Sequence, residues 1–149
     1  MKICLVTSTG GHLLELVSLK EAWDRCERFW VTFDKLDARA LLKDEKIVWA
    51  YHPTNRNLKN LVKNIGLAWR VLRRERPDVV VSTGAGVGVP FLWMGRWLGI
   101  RTVYIELMTR TRTLSLSGRL VYTVVDRFYV QWKDLLPRYP KAVYAGQVL

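Results

Sequence analysis

Apolar runs of strand length alternate with amphipathic segments of helix length along the whole chain. Ile3 to Thr7, Phe29 to Phe33, Ile47 to Ala50, Val79 to Ser82, Thr102 to Ile105 and Phe128 to Val130 read as strands, with Ala142 to Tyr144 as a last short one. Helices are expected over Leu13 to Trp23, Leu36 to Lys43, about Asn57 to Arg74, Val89 to Leu98 and Ser115 to Val124, with Pro77 closing the third. Strict alternation of this kind predicts an α/β fold, a Rossmann-like, doubly wound parallel sheet. No repeat, linker or composition break divides the chain, so residues 1–149 are expected to form one domain. In such sheets ligands bind at the carboxyl ends of the strands. With the common order 3-2-1-4-5, the exits of the first, fourth and fifth strands lie side by side, and the unusual residues of the chain follow those three.

Two helices carry more than packing. At about 100° per residue, Leu58, Leu61, Val62, Ile65, Ala68, Trp69 and Leu72 form one stripe, expected to be core. Lys59, Lys63, Arg70, Arg73 and Arg74 gather on an adjoining arc, which either is simply solvated or, with the leftover Leu67 and Val71, lies on anionic lipid. The next helix is apolar around nearly its whole circumference. Its Trp93, Arg96 and Trp97 suit a membrane interface, core packing being the plainer alternative.

Composition narrows the class. Half of the residues are hydrophobic, which excludes a disordered chain. No apolar run approaches the roughly 18–20 residues of a spanning helix, and the N-terminus lacks the apolar stretch of a signal peptide, so a cytoplasmic location is expected. Cys4 and Cys26 have no metal-ligand spacing to each other or to His12 and His52, so reduced thiols and no metal are expected. The balance of 24 Lys and Arg against 13 Asp and Glu gives a formal charge of +11 and implies an anionic partner. Nucleic acid is the least suited, because neither a reading helix nor a sheet face with interleaved aromatic and basic residues is present.

The candidate chemistry sits at the strand exits. After the first strand comes Ser8-Thr9-Gly10-Gly11-His12, with Glu15 one turn into the helix. Glycines there admit a ligand close to the backbone, and the peptide N–H groups of the helix start suit phosphate. The spacing is neither a GxGxxG fingerprint nor a P-loop, which weakens dinucleotide and ATP readings. After the fourth strand, Thr83-Gly84-Ala85-Gly86-Val87-Gly88 forms a second glycine-rich turn. Gly84 and Gly86 read as ligand contacts and Gly88 as close helix packing. The fifth strand ends at Glu106, followed by Arg110 and Arg112. A carboxylate there can accept a proton from a sugar hydroxyl, and the arginines suit a diphosphate or a sugar carboxylate, unless the group is a local surface ion pair.

Ser8-Thr9-Gly10-Gly11-His12 with Glu15, Ser82 to Gly86, Tyr104-Ile105-Glu106, Leu114 to Arg119, Val130-Gln131-Trp132 and Tyr144-Ala145-Gly146 together resemble the bacterial PssD-type polysaccharide biosynthesis proteins. These are relatives of the membrane-anchor subunit of the eukaryotic two-part UDP-N-acetylglucosamine transferase. The resemblance covers essentially the whole chain. It implies the N-terminal, acceptor-binding half of a GT-B glycosyltransferase, with a separate subunit supplying the donor-binding half, for which this chain leaves no room. The implied reaction is inverting transfer of glucuronic acid or another hexose from a UDP-sugar co-substrate, with no cofactor. The implied acceptor is a polyprenyl-diphosphate-linked saccharide in exopolysaccharide or capsule assembly. A non-catalytic docking and activating subunit is the alternative. His12 and Glu106 are rival candidates for the catalytic base. Ser8, Thr9, Gly10, Gly11, Glu15, Thr83, Gly84, Ala85, Gly86, Arg110 and Arg112 are candidates for substrate binding. Attachment is expected to be peripheral, on the inner face of the plasma membrane.

Overall fold

The computed structural model describes residues 1–148. Its order is β1 (Lys2–Val6), α1 (Gly11–Ser18), α2 (Lys20–Trp23), β2 (Glu27–Thr32), α3 (Leu36–Leu41), β3 (Ile47–Trp49), α4 (Leu58–Glu75), β4 (Val79–Ser82), α5 (Gly88–Trp97), β5 (Arg101–Ile105), α6 (Leu116–Val121), β6 (Arg127–Val130) and β7 (Val143–Tyr144). The strands form one parallel sheet ordered β3-β2-β1-β4-β5-β6-β7, the doubly wound arrangement expected from the alternation. Two helices begin at a side chain that satisfies one of their first N–H groups. Asn57 accepts from Asn60 N at 3.0 Å to start α4, and Ser115 accepts from Gly118 N at 3.0 Å to start α6. Arg76, left-handed at φ 47°, ends α4 just before Pro77.

Alternation along the strands sends side chains to two cores. Cys4, Val6, Phe29, Val80, Tyr104 and Phe128 point into a large core beneath α4, α5 and α6. Ile3, Leu5 and Trp30 point the other way, under α1, α2 and α3. Those three helices shield the β1 to β3 side. On the same face Val81, Val103, Ile105 and Tyr129 stay half-buried, lining an apolar trough of about 350 Å³ together with residues 145–148.

Two expectations change here. The helix predicted over Leu13 to Trp23 breaks at Leu19, where φ and ψ are −87° and 21°. Ser18 Oγ donates back to Leu14 O at 2.8 Å, and the break turns Trp23 inward to donate to Leu16 O at 3.1 Å and meet Trp30 edge-on. On α4 the core face is rotated from the predicted stripe. Asn64, Leu67, Ala68, Val71 and Leu72 are buried, whereas Leu58 and Val62 are 77% and 67% exposed and Trp69 is also exposed. The cause is Asn64, whose amide donates to Tyr51 O and accepts from Tyr51 N, both at 3.0 Å. A polar residue fixes the inner face, and apolar ones are left outside.

Candidate functional site

Val6, Ser82 and Tyr104 lie level across β1, β4 and β5, so the segments that follow these strands meet at one sheet edge. Thr83 joins the first two. Its hydroxyl donates to His12 O at 2.8 Å and so accepts from the Thr7 hydroxyl at 2.9 Å. Its carbonyl lies 3.0 Å from His12 Nδ1. A carbonyl only accepts, so Nδ1 carries the proton and Nε2 of the neutral ring is left as the free acceptor. Thr83, a predicted ligand contact, is fully buried and holds His12 in place instead.

The first glycine turn is open. Gly10 and Gly11 are exposed, with no atom near the space a Cβ would fill. Gly10 sits at φ 77°, and its N–H donates to Asp37 at 2.7 Å. Among the described residues nothing accepts from the N–H groups of Gly11 or His12. Ser8 is nearly buried, and Thr9 is half-buried beside it.

The second turn is filled by protein, which revises the reading of two of its glycines. A Cβ on Gly84 would lie 2.7 Å from the Tyr104 hydroxyl and 3.5 Å from His12 Cε1, and one on Gly86 would lie 2.8 Å from Thr54 Cβ. Gly88 would strike the Ser82 hydroxyl, as expected of a packing glycine. Ala85, between them, is left-handed at φ 62° and half-buried.

The two predicted carboxylates are turned inward. Glu106 is fully buried and accepts from Ser115 N at 2.9 Å, Leu107 N at 3.1 Å, the Tyr104 hydroxyl at 3.3 Å and the Ser115 hydroxyl. Gly118 leaves the room for its Oε2. Burial, with Glu106 alongside, pushes the Tyr104 phenol well above its ordinary value, so it stays a donor. Glu15 is buried too. It accepts from Met108 N at 3.2 Å and from Gln131 Nε2 at 2.7 Å, tying α1 to the segment after β5. Neither carboxylate has an oxygen directed at the open turn without a partner of its own, and both act as braces.

Arg110 and Arg112 are exposed on that braced segment and have no ion-pair partner among the described residues. Of the residues expected at a membrane, Lys59, Lys63, Arg70, Arg73 and Arg74 are exposed on α4. On α5, Trp97 is 76% exposed and Arg96 pairs with Asp126 at 3.1 Å. Trp93 packs against the core and donates to Leu120 O at 3.1 Å, so it is not free to enter lipid. No helix among the described residues is long and apolar enough to cross a membrane. Sequence reasoning missed the bracing roles of Ser115, Gly118 and Gln131 and the contact of Asp37. The first three had a signal in the chain's Leu-Ser-Leu-Ser-Gly and Val-Gln-Trp strings, and Asp37 had none.

Comparison with known proteins bears on the family and the fold. The profile of a family described as "Oligosaccharide biosynthesis protein Alg14 like" matches residues 53–148. The human UDP-N-acetylglucosamine transferase subunit ALG14 is 27% identical over 180 residues, spanning 100% of this chain and 83% of that protein. The Eremothecium gossypii subunit of the same name is 38% identical over 104 residues, covering 62% of this chain and 46% of its own. Among solved structures, Acinetobacter baumannii MurG superposes with a TM-score of 0.76 at 17% identity, over 99% of this chain and 44% of its own. The UDP-GlcNAc 2-epimerase of Methanocaldococcus jannaschii gives 0.77 at 15% identity, over 99% and 47%. The chain thus spans a little under half the length of these structures, and they establish its fold as one Rossmann-like half of theirs.

Proposed function

Since the chain belongs to the Alg14-like family of oligosaccharide biosynthesis proteins, we propose that it is the acceptor-side subunit of a two-part, UDP-sugar-dependent glycosyltransferase. One observation carries this reading: the open glycine turn and the unpaired Arg110 and Arg112 flank the same sheet edge, while Glu15 and Glu106 are used up inside the protein. Free N–H groups, a helix N-terminus and guanidinium groups suit a diphosphate. A self-contained acid–base pair is missing from the arrangement, which favours binding and activation of a partner that holds the donor. Docking and activation was the alternative reading of the sequence, and the likeness to transferase subunits supports it over a subunit that carries the catalytic base.

The acceptor in this proposal is a saccharide on polyprenyl diphosphate, reached from the inner face of the plasma membrane. The relatives' names carry UDP-N-acetylglucosamine, so that donor takes precedence over glucuronic acid. The finer likeness to PssD-type proteins of capsule and exopolysaccharide assembly stands as a narrower form of the same proposal. In transfer with inversion, the acceptor hydroxyl loses its proton as the bond from the sugar to UDP breaks. His12 Nε2 is the one group of the first turn suited to take that proton, which gives a second, catalytic reading.

The test is transfer from a panel of UDP-sugars to a polyprenyl-diphosphate saccharide, by this chain, its partner subunit, and the two together. Turnover only in the mixture is expected. Turnover by this chain alone overturns the two-part reading, as does a working acceptor control with no turnover in the mixture. His12→Gln separates the two roles. Loss of about a hundredfold or more in turnover with assembly intact makes His12 the base, and a change of a few-fold makes the chain a binding subunit.

A further inference from the structure

The row of apolar side chains left outside by the rotation of α4 is continuous with an uncompensated cationic arc. Leu58, Val62 and Trp69 lie within about 40° of one another around the helix, and Arg73, Lys59, Arg70, Lys63 and Arg74 follow over about the next 120° of the wheel. Lys59, Lys63, Arg70 and Arg73 have no carboxylate within ion-pair distance among the described residues, and Arg74 meets only Glu75, at 3.4 Å. Glu75 is itself claimed by Lys2 and Lys46. Arg73, at the border of the apolar row, rests over the ring of Trp69 at 4.9 Å, and Lys63 rests over that of Tyr51 at 5.4 Å. The helix runs for about 27 Å. It starts from the segment whose Thr54 fills the space beside Gly86, so its apolar end lies at the rim of the candidate site.

We propose that this outward face of α4 is a docking surface for an anionic lipid bilayer, with Leu58, Val62 and Trp69 at the acyl boundary and the four unpaired cations at the level of the lipid phosphates. The charge pattern selects the occupant. A protein partner's interface core is depleted in lysine, whereas an apolar row bordered by Trp and a one-signed basic arc is the pattern of an interfacial helix. The proposal rests on the reading that the acceptor is lipid-linked, and it places the bilayer beside the rim where such an acceptor enters.

The experiment is flotation of the full chain with phosphatidylcholine vesicles, with and without phosphatidylglycerol, at low and high salt. Wild type is expected to float with the anionic vesicles and to be released as salt rises. Leu58→Ser with Val62→Ser weakens binding by about tenfold or more. Lys59→Gln with Lys63→Gln does so by about tenfold at low salt. Lys35→Gln with Lys43→Gln, an equal loss of charge beside and after α3, leaves binding within about two- to threefold. Both α4 pairs are solvent-exposed, so unchanged melting temperatures confirm that the variants fold. If wild type floats and the α4 variants float equally well, membrane attachment stands but this surface is wrong. If wild type never floats with anionic vesicles, attachment by the isolated chain and the proposed surface both fall. Protection of Val62 only when the partner subunit is added makes the face a protein interface and overturns the proposal.

Discussion

Two glycine-rich turns follow adjacent strands in this protein, and they do opposite work. At the turn after β1, nothing among the described residues fills the space beside Gly10 and Gly11 or accepts from the N–H groups of Gly11 and His12. At the turn after β4, the same absence of a Cβ is used up by the Tyr104 hydroxyl, Thr54 and the Ser82 hydroxyl. One turn is open, and the other is a scaffold that seats the first. A glycine-rich string alone does not say which it will be. The deciding information is what the rest of the chain packs against it.

Substitution breaks this comparison most sharply at the scaffold turn. Gly88→Ala drives a methyl into the Ser82 hydroxyl inside the core and is expected to cost about 3 kcal/mol in denaturant unfolding. A wild-type unfolding curve would make the second turn as permissive as the first. The next effect separates both turns from the opposite end of the sheet. There Glu75 is held down to about 2 by hydrogen bonds from Lys2 and Lys46, against an ordinary 4.5. Its folded-state value is lowered, so its contribution is complete above pH 4.5 and is lost as pH falls from 4.5 towards 2. Lys46→Met is therefore expected to flatten acid unfolding in that window, and variants of either turn to leave its slope alone. The smallest effect on stability belongs to Gly11→Ala, expected within about 0.5 kcal/mol of wild type. That same variant is expected to lower transfer by the assembled enzyme by about tenfold or more, because the methyl occupies the ligand's space. Unchanged transfer would remove the first turn from the site.

Periodicity and turn chemistry were enough to place every strand and to bring the exits of β1, β4 and β5 to one edge. Pro77, the Asn57 and Ser115 caps and the βα rhythm are local signals, and local signals survive without a structure. What was illegible is long-range. Asn64 faces inward because Tyr51, on a loop before the helix, offers both of its backbone groups to one amide. A hydrophobicity wheel assigns such an asparagine to water and rotates the whole helix with it. Glu106 read as a base because a carboxylate at a strand exit beside arginines has that appearance. Its actual setting depends on Ser115 and on Gly118, 12 residues later, which leaves room for its oxygen. Glu15 is similarly decided by Gln131 across the sheet. His12 was legible as a candidate, whereas the direction of its ring follows from the Thr83 carbonyl.

The pairing of Asn64 with Tyr51 also bears on the edge of the sheet. β3 is the outermost strand on its side and has only three residues, Ile47–Trp49. A longer edge would present a row of bare donors and acceptors on which a neighbouring chain could add a strand. Here the backbone leaves the edge almost at once, and two residues further on the Asn64 amide takes both backbone groups of Tyr51. The side chain thus covers the backbone just beyond the edge strand as well as orienting the helix, and a neighbouring chain is offered only three residues of open edge.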